Sequence, residues 1–191
     1  MTSFIIEEQV GRHIPATWKT DPECPFCRII QGKDEAHKIY ENDKVIAILD
    51  ILPLRPGHVL VMPKAHCSRL SELPTELAAA VGEAVTKIAG GLVKGMDCIA
   101  QGLRNPADPS PVQLPVMANS ALNVVCNQEY AQAVPHVHYH IIPAPKFISN
   151  ASSGREVSAT PREMLRREFE ARDQLDEFYA EEFTKIMRAK L

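Results

Sequence analysis

Residues His136–Ile142 read His-Val-His-Tyr-His-Ile-Ile and set three histidines at alternate positions. On a strand, alternate side chains share one face about 6.5–7 Å apart. Zinc–nitrogen bonds are only about 2.0–2.1 Å long, so three such imidazoles cannot converge on one ion. The spacing instead suits a row of imidazoles along an extended ligand such as a phosphate chain, with Val137, Tyr139 and Ile141 on the opposite face. A neutral imidazole is a capable nucleophile near neutral pH, and the sequence carries no Gly-x-Ser-x-Gly nucleophile motif. Attack on phosphorus needs one ring nitrogen free, the other pinned by a hydrogen bond, and donors around the developing charge. Backbone N–H groups near Ala133 and Val134, together with His140, are the candidate donors. His138, with a histidine on either side, is the candidate nucleophile.

A second constellation is Cys24-Pro25-Phe26-Cys27. It reads as half of a tetrahedral zinc site, as a redox pair, or as two buried free cysteines. The zinc reading needs two more ligands, for which His66 at a strand end and His136 are the candidates. The redox reading expects a buried strand before the pair, which Trp18–Glu23 does not form. His58 follows Pro56-Gly57 and begins a strand that can lie beside the histidine row. Asp50 ends a buried strand, where its carboxylate suits sugar hydroxyls or a turn cap equally.

The elements that must hold these residues follow from hydrophobic pattern and breakers. Lys44–Asp50 is a continuous apolar run, expected to be buried on both sides. His37–Tyr40, His58–Met62 and Leu122–Cys126 are further strands, and the row itself supplies another. From Pro74 onward, Leu73, Leu77, Val81, Ala84, Ile88 and Leu92 form a helical stripe that Gly90, Gly91 and Gly95 are expected to weaken. Residues 100–118 hold four prolines and read as a long loop. Thr160-Pro161-Arg162-Glu163 reads as a capping box opening a helix to about residue 189, with Leu175, Phe178, Tyr179, Phe183 and Ile186 as its apolar stripe. That helix is expected to pack on the domain or on a second subunit. Tight turns between strands favour antiparallel pairing. The layout is α+β, one sheet with a helix on one face.

The chain has 191 residues, enough for one sizeable domain. Its net charge of -3 gives no bulk electrostatic reason to expect nucleic acid. No apolar run approaches the roughly 20 residues of a membrane span. The first residues lack a basic segment followed by an apolar core, so no secretory signal is expected. Five cysteines is an odd number that fits free thiols or a metal site in a reducing compartment, cytosolic or nuclear.

Three separated motifs in order resemble the histidine triad family: Cys24–Ile30 (Cys-Pro-Phe-Cys-Arg-Ile-Ile), Pro56–His66 (Pro-Gly-His-Val-Leu-Val-Met-Pro-Lys-Ala-His), and the His136–Ile142 stretch. The similarity covers residues 22–145. It implies a HIT-like antiparallel five-stranded sheet with a packed helix, paired as a homodimer, with an arm at 1–21, the domain at 22–146, and a linker and C-terminal helical extension at 147–191. It also implies hydrolysis or transfer of nucleotides at the α-phosphate. By position, His138 would be the nucleophile, pinned by the His136 carbonyl, with His140 and His58 assisting. Asp50 would bind the ribose, with Ile51, Phe26 and Ile29 near the base. Asn127 and Gln132 would contact phosphate or the leaving group. Zinc-bearing members use the positions of Cys24, Cys27, His66 and His136. The retained zinc set favours the Hint branch, the nucleoside phosphoramidate hydrolases, for which an adenosine monophosphate–amine conjugate is the expected substrate. Dinucleoside polyphosphate hydrolysis and a non-catalytic nucleotide-binding scaffold are the alternatives. One departure is Ala131-Gln132-Ala133, where that branch carries Gly-Gln-Ser or a close variant. Ala133 lacks the hydroxyl that would serve the leaving group.

Overall fold

The computed structural model describes residues 18–102, 120–144, 172 and 174–191. The arm before Trp18, most of the proline-rich 100–118 segment, the linker to Ser158 and the Thr160–Glu163 capping box lie outside them.

Helix α1 (Pro25–Ile30) leads into strands β1 (Lys38–Glu41), β2 (Val45–Leu49) and β3 (Val59–Pro63). After a 3-10 turn at Leu70–Glu72 come helix α2 (Thr75–Gly102), strands β4 (Leu122–Cys126) and β5 (Tyr139–Pro143), and helix α3 (Glu177–Lys190). The sheet order is β1-β2-β3-β5-β4, with every neighbouring pair antiparallel. This is the HIT-like α+β fold.

The two central strands explain why their sequences are apolar at every position. Both are buried throughout. The period of two sends Val45, Ala47, Leu49, Val59 and Val61 to one face, where they pack with Val81, Ala84, Ile88 and Leu92 of α2. Ile46, Ile48, Leu60 and Met62 face the other way, onto Phe26, Cys27 and Ile30 of α1. The sheet is therefore covered on both faces at its centre, one more than the sequence suggested. The same parity places Asp50 and His58 on the α1 face, and the ladder continues between them, Asp50 N–H donating to the His58 carbonyl at 3.1 Å. His140 pairs across with Leu60 and so lies on that face as well. The Arg55–His58 turn has Pro56 at its second position and Gly57 at its third with φ 82°, the arrangement of a type II turn, which needs a glycine there.

Three expectations are corrected. The histidine row is not one strand, because β5 begins only at Tyr139. His136 and His138 lie in an extended lead-in after Pro135, where the Val137 N–H goes to the Cys67 carbonyl at 2.7 Å instead of a ladder partner. The glycines of α2 do not end it, since the helix runs to Gly102 and takes in the start of the expected loop. They admit α3 instead. A Cβ at Gly91 would lie 2.8 Å from Leu191 Cδ2, and one at Gly95 would lie 3.2 Å from the Met187 sulfur. Lastly, α3 starts at Glu177, with Asp176 as an extended N-cap whose side chain accepts from the Tyr179 N–H. Leu175, expected inside the helix, precedes it.

Helix α3 is part of the domain core. Tyr179, Ala180, Phe183 and Met187 are buried in the cluster that joins α2 to the sheet. No helix among the described residues is long and apolar enough to cross a membrane. Since Phe183 is fully buried, Phe183→Ala is expected to lower unfolding free energy by about 3–5 kcal/mol. Urea denaturation should show this as one cooperative transition at lower midpoint. A separate early transition of the tail would show α3 to be an appendage.

Candidate active site and metal centre

His136 and His138 owe their ring states to carbonyl oxygens, which only accept. His138 Nδ1 lies 2.6 Å from the His136 carbonyl, so Nδ1 carries the proton and Nε2 keeps its lone pair. His136 Nε2 lies 2.9 Å from the Pro63 carbonyl, so the proton is on Nε2 and Nδ1 is the free nitrogen. The two alternate histidines thus expose opposite nitrogens. Burial pushes the His138 imidazole below the usual histidine range, against the pull of the His136 carbonyl and the Asp50 charge. The ring is uncharged near neutral pH, as a nitrogen nucleophile requires.

Asp50, His58 and His140 form a chain on the same face. Leu54 N–H can only donate, and it reaches His58 Nδ1 at 3.2 Å. His58 therefore carries its proton on Nε2 and gives it to His140 Nδ1 at 3.0 Å. His140 is left with Nε2–H as a donor. Asp50 Oδ2 stands 3.4 Å from His58 Nδ1, while its Oδ1 accepts from Leu52 N–H at 2.9 Å. Burial raises the Asp50 carboxyl above its ordinary range. Burial, then the neighbouring His140 and Arg172, pushes His58 down to about 3. Burial, then His138 and Arg172, pushes His140 down to about 4. The rings of His138 and His140 lie edge to face, 4.8 Å between centroids. A lone pair on one and an N–H donor on the other thus stand side by side, the pair needed to attack a phosphoryl group and hold its oxygen.

Cys24, Cys27, His66 and His136 form a second cluster, their ligand atoms all within 4.8 Å of one another. The His136 Nδ1 is 3.5 Å from the Cys24 sulfur and 3.7 Å from that of Cys27, and His66 Nδ1 is 3.4 Å from Cys27. Tetrahedral zinc with ordinary Zn–S and Zn–N bonds sets S···N edges at about 3.5 Å. The donor set and its spacing fit that ion. The free nitrogen of His136 faces the sulfurs while its N–H is held by Pro63, the outer hydrogen bond that ligating histidines ordinarily make. Burial drives the Cys27 thiol up to about 11, opposite to what a redox-active thiolate needs.

The other expected residues are distributed around these clusters. Phe26 stands edge-on to both His136 and His138, with centroids 5.8 and 5.1 Å away. Ile29 and Val134 pack beside the α1 cluster. Ile51 is 68% exposed at the rim beside Asp50, a free apolar surface of the kind a base can cover. Gln132 is turned into its own loop, donating to the Ser68 carbonyl at 3.0 Å and accepting from Glu129 N–H at 2.8 Å. Asn127 is half-buried after β4, and Ala133 is exposed. Arg172, near enough for its charge to act on Asp50, His58 and His140, carried no signal in the sequence.

The HIT domain family model matches residues 31–147, more than half of the chain. The chain belongs to the histidine triad family, a family of nucleotide-binding proteins and hydrolases. It is 28% identical over 170 residues to the adenosine 5'-monophosphoramidase of Candida albicans, covering 88% of this chain and 96% of that one. A Hit-like protein involved in cell-cycle regulation from Bartonella henselae superposes with a TM-score of 0.61 at 28% identity, covering 91% and 99% of the two chains. A Zn-bound histidine triad family protein from Mycobacterium smegmatis superposes with a TM-score of 0.57 at 26% identity, covering 88% and 92%.

The depressed histidines link stability to pH. His58 and His140 fall to about 3 and about 4 from 6.5, so on acidification the unfolded chain takes up protons that the folded one refuses. Their contribution is present above pH 6.5 and is lost as pH falls from there towards 4. The Tm should drop across that window, and a His58→Asn, His140→Asn double variant should show a shallower drop. Parallel Tm profiles for the two proteins would contradict the assignment.

Proposed function

We propose that this protein is a nucleotide hydrolase acting at the α-phosphate of adenosine monophosphate–amine conjugates, through a nucleotidyl-histidine intermediate. The observation that carries the reading is the 2.6 Å hydrogen bond that fixes the His138 proton on Nδ1. In the proposed reaction the Nε2 lone pair attacks phosphorus, the P–N bond to the amine breaks, and the amine takes a proton from water. The His140 Nε2–H holds a phosphoryl oxygen, joined by backbone N–H groups around Ala133 and Val134. Asp50 accepts from the ribose hydroxyls, with Ile51, Phe26 and Ile29 on the side of the base. Asn127 and Gln132 line the leaving-group side. Water then attacks phosphorus, breaks the P–N bond to His138 and releases the nucleotide. The relative of like length named as a monophosphoramidase supports this substrate class. Ala133, which offers no hydroxyl to a departing amine, favours dinucleoside polyphosphates as the second reading. The scaffold reading loses its surface, because the apolar face of α3 is buried in its own domain.

The cysteine–histidine cluster is read as a structural zinc site, Cys24, Cys27, His66 and His136 holding the ion and so fixing α1 and the His136 backbone. A homodimer is read from β4, an edge strand with Asn123 and Val124 exposed and only β5 as its neighbour. The free thiols of Cys24, Cys27, Cys67 and Cys126 suit the cytosol or nucleus.

With pure protein and both substrates supplied, the amine conjugate should be cleaved faster than a diadenosine polyphosphate, and His138→Ala should reduce kcat/KM by about 10³-fold or more. Equal or better cleavage of the polyphosphate overturns the substrate class, and full activity in the variant overturns the nucleophile. Native mass spectrometry should find twice the 21.2 kDa chain mass plus one zinc per chain. A metal-free monomer would contradict both structural readings.

A further inference from the structure

The C-terminal segment reaches the site just ahead of α3. Leu175 N–H donates to the Ile51 carbonyl at 3.0 Å, one residue from Asp50. Glu177 meets His37 Nε2 at 3.3 Å beside β1, and Asp176 caps the helix that is buried against the sheet. Three consecutive residues are thereby fixed along the Asp50–Leu52 rim. Arg172, three positions before Leu175, is half-buried there. Its charge acts on Asp50, His58 and His140, whereas the charge acting on His138 is that of Asp50. The guanidinium thus belongs to the Asp50–His58 side of the site, away from the nucleophilic lone pair. Arg55, the other arginine acting on His58, is turned to the Pro143 carbonyl at 3.1 Å.

A nucleotide brings at least one full negative charge to a place where His58, His138 and His140 are all neutral. Hydrogen bonds from neutral rings orient such a phosphate but do not balance it. A partly desolvated guanidinium does, because its fork matches two phosphate oxygens and its charge is weakly screened. We propose that Arg172 is a phosphate-recognition residue of the nucleotide site, carried in by the C-terminal segment and held in place by the Leu175–Ile51 hydrogen bond. The inference rests on the reading of this site as a nucleotide site. Placed away from the attacking nitrogen, Arg172 grips ground state and transition state alike, so its removal acts on KM and on binding more than on kcat.

The test is calorimetric titration of the full chain with AMP and with adenosine, for the wild type, Arg172→Gln and Arg172→Lys. Arg172→Gln should weaken AMP about 10-fold or more and leave adenosine unchanged, and Arg172→Lys should recover part of the loss, keeping the charge without the fork. Its AMP affinity should also depend less on salt than that of the wild type. Equal AMP affinity in wild type and Arg172→Gln overturns the proposal. So does equal weakening of AMP and adenosine, which is what a merely structural tail contact gives. Failure of the nucleotide reading itself looks different: the wild type would bind no AMP.

Discussion

The site depends on one backbone carbonyl, that of His136. It accepts the His138 Nδ1–H at 2.6 Å and so decides which nitrogen of His138 is free. The carbonyl can do this only because its own residue is immobilised from the other side. The His136 ring is fully buried, donates to Pro63, and turns its remaining nitrogen to the sulfurs of Cys24 and Cys27. The cysteine cluster and the nucleophile are therefore mechanically one device, with Phe26 packed edge-on against both imidazoles. A shift in the cluster would move the carbonyl and with it the lone pair. This gives a cluster that takes no part in the chemistry a direct influence on it.

The second support is the parity of the sheet. Asp50, His58 and His140 come from three strands that are neighbours in space, and a one-residue slip in any of them would turn its side chain to the α2 face. Such slips are prevented by the buried apolar runs of β2 and β3, which fill both faces at once. The hydrogen-bond chain from Leu54 through His58 to His140 then converts that register into a proton position. Helix α3 and the residues before it close the same edge of the molecule, bringing Arg172 from more than a hundred residues away in sequence to the Asp50 rim.

Much of this was legible in the sequence. The apolar runs gave the strands to within a residue or so, and the helical stripe from Leu77 to Leu92 gave the buried face of α2. The ligand chemistry of Cys24, Cys27, His66 and His136 was readable because so few residue types bind zinc. What the pattern misjudged was non-local. His136 and His138 were expected in a strand because the period-two pattern is the same for a ladder and for an extended lead-in. The Val137 N–H bond to Cys67 that takes this stretch out of the ladder joins residues far apart in sequence. Gly91 and Gly95 read as helix weakeners because their value lies in the approach of Leu191 and Met187. Arg172 was invisible for the same reason: nothing in its neighbours announces Asp50.

The central claim is that hydrogen bonds fixed by the fold set three ring states, with the proton on Nδ1 in His138 and on Nε2 in His58 and His136. Long-range nitrogen–proton correlation NMR of histidine-labelled protein at neutral pH reads these tautomers directly. The account predicts one neutral ring of the Nδ1–H form assigned to His138, with His58 and His136 in the Nε2–H form. A His138 ring protonated on Nε2, or one already charged at neutral pH, would contradict it.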